Sequence, residues 1–570
     1  MRARRDGRGL RGAVLAVVFA GFVLPILAGL AVTAEMAFGH LPAIGATGYS
    51  TDYWWQLAAL PGATRSLGLS IATAAGATGS ALVLAFALVA WFDQAGGTAR
   101  LARLNLPFLA APHAAMAIGL AFVISPSGWI ARMISPWATG WAVPPDLPLT
   151  HDPAGLVLTL GLTMKEMPFL ALVMVGAAAR VGATRQVAAA RALGYRRAQV
   201  WIRVMVPQIY RLIRLPVYAV LVFSLSVVDM AVILGPSNPP TLAQAVTRWL
   251  LSPDIRQLLP GAAGALGVGV IAVLTVGGWM LGEKLLIRLG CLWIRRGRRG
   301  RAEFVWQTGL AMVGLALMGL AILSLGSLVL WSFAWQWRFP DALPASWSVT
   351  GWKAAGAGWR GPLVTSLLIG SVSATLALLL AIAWLEAEDR GGLGRAGWAE
   401  ALIYLPLLVP QVAFLYGLQT LALRVGFSGG VGAVIWGHIL FVFPYVMIAL
   451  SGPWRAFDRR LLHGAALLGA GSWRRLIGVR LPCLLVPILT AAAIGFSVSV
   501  AQYLPTLFLG EGRVATLTTE AVTLSSGADR RIAGIYGLLQ TVLPLLAYVL
   551  STCAGRVCLT RRPRLAGPAT

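Results

Sequence analysis

Lys165 and Glu166 are adjacent, oppositely charged residues inside an otherwise apolar run, LTMKEMPF. Charges at such a depth are costly and usually face a bundle interior or a water-filled cavity. Neighbouring helical residues point about 100° apart, so the two need not pair with each other. Pro168 frees a carbonyl one turn earlier, near Met164, which leaves a structural alternative in which both charges satisfy polar groups around that kink. The matching run near the C-terminus, Leu440 to Tyr445, has a proline but no charge. That asymmetry favours a role on a transport pathway, with Glu166 contacting a cation and Lys165 keeping it ionised and positioned. Asp229, toward the outer end of another apolar run, and Gln502, taken as its counterpart, are the further pathway candidates. His113 and His438 are lone histidines in apolar runs, more often hydrogen bonders between helices than ligands.

Enzyme chemistry has no foothold in these residues. No G-x-x-x-x-G-K-[ST] occurs, and the three lysines, Lys165, Lys284 and Lys353, lie outside any phosphate-loop context. HExxH and a plausible triad are also missing, so no catalytic residue and no cofactor is expected. Cys291, Cys483, Cys553 and Cys558 have no metal-site spacing and are read as structural or incidental.

A second kind of signal is a repeated stretch. AAARALGYRRAQVWIRVMVP, Ala188 to Pro207, returns as HGAALLGAGSWRRLIGVRLP, His463 to Pro482, with each aligned pair 275 positions apart. Alanines favour a thin helix. Gly194 and Gly469 can take the left-handed conformation that ends it. A second short helix then starts in a new direction, and Pro207 or Pro482 limits its length. The outcome is a compact knob, positively charged in the first copy by Arg191, Arg196, Arg197 and Arg203. One such stretch could be an ordinary amphipathic connector; two in register, each between apolar segments, argue for a shared role.

Both copies resemble the EAA loop of ABC importer permeases, E-A-A-x-x-x-G followed thirteen residues later by Pro. The match covers Ala189, Ala190, Gly194 and Pro207, then Ala465, Gly469 and Pro482. Ala188 and His463 stand where the family usually has Glu, and Gly464 where it has the first Ala, so that glutamate's salt bridge does not carry over. The resemblance implies that each knob is a cytoplasmic coupling helix docking on an ATPase subunit. It further implies two ATPase copies, a periplasmic substrate-binding protein, and halves that rock between inward- and outward-facing states. The single-chain layout is similar to fused ferric-iron and thiamine permeases. KEMPF at 165–169, AQYLPTLFLGEG at 501–512 and TLTTEAVTLSSG at 516–527 are similar above all to the thiamine-type permeases of Ynj systems, which gives a thiamine-like compound or ferric iron as the implied cargo.

The elements that must position these residues are membrane helices. The 570 residues are 58% hydrophobic and 12% charged, with a formal net charge of +26, and mean hydropathy is +0.77. These values describe an all-α polytopic membrane protein. The arginines cluster between apolar runs, which fits positive-inside topology and excludes a nucleic-acid partner. After the arginine-rich N-terminus, uncharged Gly12 to Ala34 is read as a retained first helix rather than a signal peptide. Further spans are expected near 64–92, 104–125, 154–180, 212–234, 258–287, 305–335, 363–386, 399–423, 430–452, 484–509 and 532–554.

The 180–214 loop has eight Arg and no acid, and the 452–482 loop has six Arg against one Asp. Both loops and both termini are therefore placed in the cytoplasm, in a bacterial inner membrane. The loop 126–153, with Trp129, Trp137 and Trp141, and the loop 510–531 are placed outside. One inner loop breaks the charge rule, since Glu386, Glu388, Asp389 and Glu400 outnumber Arg390 and Arg395.

Two six-helix halves follow, 1–298 and 299–570, running in the same direction through the membrane. A major-facilitator-type secondary transporter would also have twelve helices in parallel repeats, but would not need two matched knobs. A non-transporting membrane scaffold is a remoter alternative.

Overall fold

The computed structural model describes residues 2–94, 97–295, 302–354, 356–391, 397–427, 429–527 and 529–561. The expected junction at 298/299, Arg395, and the tail residues Arg562 and Arg564 lie outside them. Among the described residues the chain is helical apart from one short antiparallel pair, β1 (Ala334–Gln336) with β2 (Ser346–Trp347). Among the described residues, ten helices are long and apolar enough to cross a membrane, or up to twelve if each of two sharply bent pairs counts as one span.

The first half runs through α1 (Leu24–Ala37), α2 (Ala63–Gln94), α3 (Thr98–Ala110), α4 (His113–Ile124), α5 (Leu156–Arg180), α6 (Ala183–Ala192), α7 (Val206–Ser226), α8 (Asp229–Leu234), α9 (Leu242–Leu250) and α10 (Leu258–Arg295). The second half repeats the order with α11 (Ala302–Phe333), α12 (Gly356–Gly391), α13 (Gly397–Leu408), α14 (Gln411–Arg424), α15 (Val431–Ala456), α16 (Arg459–Leu467), α17 (Leu481–Cys483), α18 (Leu485–Val500), α19 (Leu504–Gly510), α20 (Leu517–Ser525) and α21 (Arg530–Arg561). Even small bonds recur. The Ser70 hydroxyl accepts the amide N–H of Leu242 at 2.8 Å, and the Ser366 hydroxyl accepts that of Leu517 at 2.9 Å.

The third and fifth spans are broken, where uninterrupted helices were expected at 104–125, 212–234, 399–423 and 484–509. Proline explains the third-span breaks. Pro112 and Pro410 have no N–H to continue the ladder, so each becomes the cap of a new helix, and α13 meets α14 at 108°. The fifth spans break at Val227–Val228 and again at Ala501–Tyr503, before α8 and α19. Backbone freed by a break must find partners inside the bundle; the Val500 carbonyl accepts from the Thr518 hydroxyl.

Packing interlocks the halves. Helix α1 lies against α14 of the other half, and α11 lies against α4. Glycine permits both approaches: a Cβ on Gly29 would stand 2.6 Å from the Phe414 carbonyl oxygen, and one on Gly119 would overlap that of Ser324. Two large apolar cores result, one mainly in each half, and Tyr503 packs against both.

Candidate functional site

The first knob is built as its residue types dictate. Helix α6 closes when Gly194 adopts φ +83°. The Gly194 and Tyr195 amides then return to the Arg191 and Ala190 carbonyls, at 2.9 and 3.2 Å. In the second knob Gly469 has φ +82°, and the Gly469 and Ala470 amides reach the Ala466 and Ala465 carbonyls, both at 3.0 Å. A Cβ at either glycine would meet nothing within 4 Å, so backbone conformation alone requires glycine there. The apolar tips point outward: Leu193 is 72% exposed, and Leu467 and Leu468 are 89% and 90% exposed.

Pro207 and Pro482 do not end their helices as expected. Each is preceded by a π-helical turn, Trp201–Met205 or Leu476–Arg480, again 275 positions apart. A proline in a regular helix clashes with the carbonyl four residues back, and the wider turn moves that carbonyl aside. The first helix then continues through Pro207 to Ser226, whereas the second bends by 77° after Cys483.

Carboxylates anchor both knobs to the membrane helices. At the end of α2, the Asp93 carboxylate accepts from Arg197 Nη2 at 3.1 Å and from Trp201 Nε1 at 2.9 Å. At the end of α12, Glu386 and Asp389 hold Arg480 at 3.3 and 2.6 Å. Arg480 is 3% exposed and stacks 4.0 Å from the Trp454 ring centroid. Asp389 also takes Arg459 at 2.7 Å, and Glu388 takes Arg455 at 3.3 Å. The acidic loop that broke the charge rule is therefore the counter-charge of the second knob.

Within the membrane, the structure separates Lys165 from Glu166. The Lys165 ammonium donates to the carbonyls of Phe108 at 2.7 Å and Ala111 at 2.6 Å, with Leu109 at 3.4 Å, and so closes the broken end of α3. Glu166 Oε1 instead lies 3.2 Å from His113 Nε2, and the His113 ring packs 4.6 Å from that of Phe223. Asp229 is buried at the start of α8, within electrostatic reach of His113 and Lys165. From the second half, Tyr445 lies within electrostatic reach of Glu166 and Tyr503 within that of Asp229. Lys165 and Glu166 thus share no direct hydrogen bond, although their charges lie within electrostatic reach of each other. Gln502 is buried in the Ala501–Tyr503 break, but the register pairs Asp229 with Leu504 and sets Gln502 opposite Val227. His438 bridges helices, with Ser499 Oγ at 2.7 Å and Thr506 Oγ1 at 2.8 Å. No metal-holding group of His, Cys, Asp and Glu occurs among the described residues.

The family model described as "Binding-protein-dependent transport system inner membrane component" matches residues 395–562. Inner membrane ABC transporter permease protein YnjC of Escherichia coli (strain K12) is 32% identical over 508 residues, 89% of this chain and 91% of its own length. The chain belongs to the ABC importer permease family. Molybdenum transport system permease protein ModB of Haemophilus influenzae is 27% identical over 208 residues, 33% of this permease and 89% of its own length. Spermidine/putrescine transport system permease protein PotC of the same organism is 24% identical over 192 residues, 33% of this permease and 73% of its own length. The permease is thus a multi-pass inner-membrane transport component of all-α architecture, and the facilitator-type alternative falls away.

Several residues that organise the permease were not singled out in the sequence. Arg480 was one arginine among six in its loop. Its signal was an acidic cluster where positive charge was expected, and the partner of a misplaced acid can be sought among nearby loop arginines. Tyr445 and Tyr503 gave no signal beyond being tyrosines in apolar runs.

Proposed function

We propose that this permease forms the whole substrate pathway of an ATP-driven importer, with one chain supplying both halves, 1–298 and 299–570. The observation that carries this reading is the pair of glycine-closed knobs with exposed leucine tips. Apolar tips on knobs that also expose Arg185 and Arg191, or Arg460 and Arg474, suit a docking cleft on another protein. Two knobs per chain imply two ATPase copies. The chain has no phosphate loop of its own, so hydrolysis falls to that separate subunit. Both knobs and both termini then lie in the cytoplasm, and the opposite loops receive a periplasmic binding protein. ATP acts through its different affinity for inward- and outward-facing states.

The pathway candidates are Glu166 and Asp229, with Tyr445 and Tyr503 across from them. Lys165 is occupied by backbone carbonyls, so two carboxylates and aromatic rings remain to meet cargo beside the broken fifth spans, the place where transporters commonly bind substrate. This environment suits an organic cation with an aromatic ring, as a thiamine-like compound is; ferric iron would want more oxygen ligands than these side chains offer. The test is uptake into proteoliposomes containing the permease, its ATPase and its binding protein. Thiamine-dependent ATP hydrolysis and accumulation are expected. ATPase binding without any thiamine-dependent flux would remove the substrate assignment and leave the importer reading in place.

A further inference from the structure

At the end opposite the knobs, where α4, α11 and α21 meet, lies a cavity of about 520 Å3 lined by Ser127 and Arg132 from the first half and by Trp331, Trp337, Asp529 and Arg530 from the second. Two guanidinium groups converge on a single atom. Arg132 Nε donates to the Ser127 carbonyl at 3.0 Å, and Arg530 Nη1 donates to the same oxygen at 3.2 Å. Arg132 is 4% exposed and gives its other N–H groups to the carbonyls of Arg338 at 2.7 Å and of Trp337 and Asp341 at 3.4 Å. Arg530 Nη2 reaches the hydroxyls of Ser127 at 2.8 Å and Ser125 at 3.1 Å. Its Nε–H has no partner among the described residues.

These contacts orient the two charges without neutralising them. Among the described residues no carboxylate lies within 4 Å of either guanidinium. Asp529 is taken by Arg531, through bonds of 2.8 and 3.0 Å, and the Asp341 carboxylate acts on Arg132 only from farther away. Ring faces complete the surround, with Arg132 4.9 Å from the Trp337 centroid and Arg530 5.2 Å from that of Trp331. Like charges this close repel each other, and partial burial weakens solvent screening. A bound anion would reverse the sign of that interaction. Arginine forks match the tetrahedral oxygens of phosphate especially well.

We propose that this cavity is a binding site for a phosphate-class oxyanion, presented by the headgroup of an anionic phospholipid or as a free phosphate ion. The headgroup is the better fit. Tryptophans favour the level of the membrane surface, and Trp335, which lines the cavity, is 45% exposed.

The full-length permease in neutral detergent is unfolded thermally with phosphatidylglycerol, phosphatidylcholine or inorganic phosphate added. Phosphatidylglycerol is expected to raise Tm by a few degrees more than phosphatidylcholine does. The extra rise should vanish in Arg530→Gln and persist in Arg530→Lys, which keeps the charge. Reading the ligand-dependent shift within each variant separates binding from any loss of fold. A response to phosphatidylglycerol alone assigns the lipid, and a response to inorganic phosphate assigns the free ion; both support the site. Equal shifts in wild type and Arg530→Gln overturn it. So does the absence of any shift combined with loss of binding-protein capture in Arg530→Gln, which would assign the arginines to a protein carboxylate.

Discussion

Arg480 and Asp389 approach to 2.6 Å and join the turn behind the second knob to the end of α12. The guanidinium is almost wholly buried, shared with Glu386, and laid on the Trp454 ring. The second knob is therefore tied to α12 and α15 through charge as well as through packing.

Removing Arg480 takes its buried partner from the Glu386 carboxylate and from the half-buried Asp389, leaving them Arg390 and Arg459. Arg480→Met is expected to cost about 3–5 kcal/mol, as breaking one side of a buried pair does. Arg459→Met, on the exposed flank of the same cluster, should cost about 0–1 kcal/mol. Denaturation of the two purified variants measures the contrast. Equal losses would mean that burial at Arg480 does not govern this cluster.

At the knobs, Gly194→Val and Gly469→Val are each expected to cost about 1–2 kcal/mol, through left-handed backbone alone. Because a side chain there meets open space, Gly→Asn at the same positions should be nearly neutral. Co-purification of the ATPase reads the result. The double valine variant should lose the ATPase or uncouple it, and the double asparagine variant should keep it. An asparagine variant as impaired as the valine one would point to contact with the partner rather than to backbone shape.

Glu166 and Lys165 should respond differently. Lys165→Met strands the Phe108 and Ala111 carbonyls and is expected to destabilise by about 1–3 kcal/mol, lowering the amount of protein in the membrane. Glu166→Gln keeps a hydrogen bond to His113 within reach and should insert normally, remain coupled to the ATPase, and import poorly. Immunoblotting of membranes beside uptake assays separates the two outcomes. Normal uptake by Glu166→Gln would remove it from the pathway.

Single cysteines introduced into a background without native cysteine should report sidedness. Positions in 180–214 and 452–482 are expected to resist an impermeant reagent applied from outside, while positions in 126–153 and 510–531 react. Outside labelling near Leu193 would invert the assignment of both knobs.

The knobs were legible because their needs are local. A left-handed turn accepts few residues besides glycine, and a proline thirteen positions later is visible in any sequence. The number of spans was legible because apolar length is nearly sufficient to define a membrane helix. What lay beyond reading was set by tertiary partners. Pro168 and Lys165 share one short motif, yet Lys165 serves the end of a different helix. The break after Ser226 carries no proline of its own, and the one after Val500 has only Pro505, beyond it in the first turn of α19. Pro207 looked like a stop, and a π turn made it a passage.

The crossed packing of α1 and α11 has a consequence for the order in which the chain assembles. When α1 leaves the ribosome, its partner α14 lies nearly four hundred residues away, so the Gly29 face must wait in lipid for most of synthesis. Gly119 on α4 is likewise uncovered until α11 arrives. Neither half can complete its own surface first, and the Gly29 seam closes after the Gly119 seam can. Joining the halves in one polypeptide makes both closures intramolecular, at a high effective concentration of each half for the other.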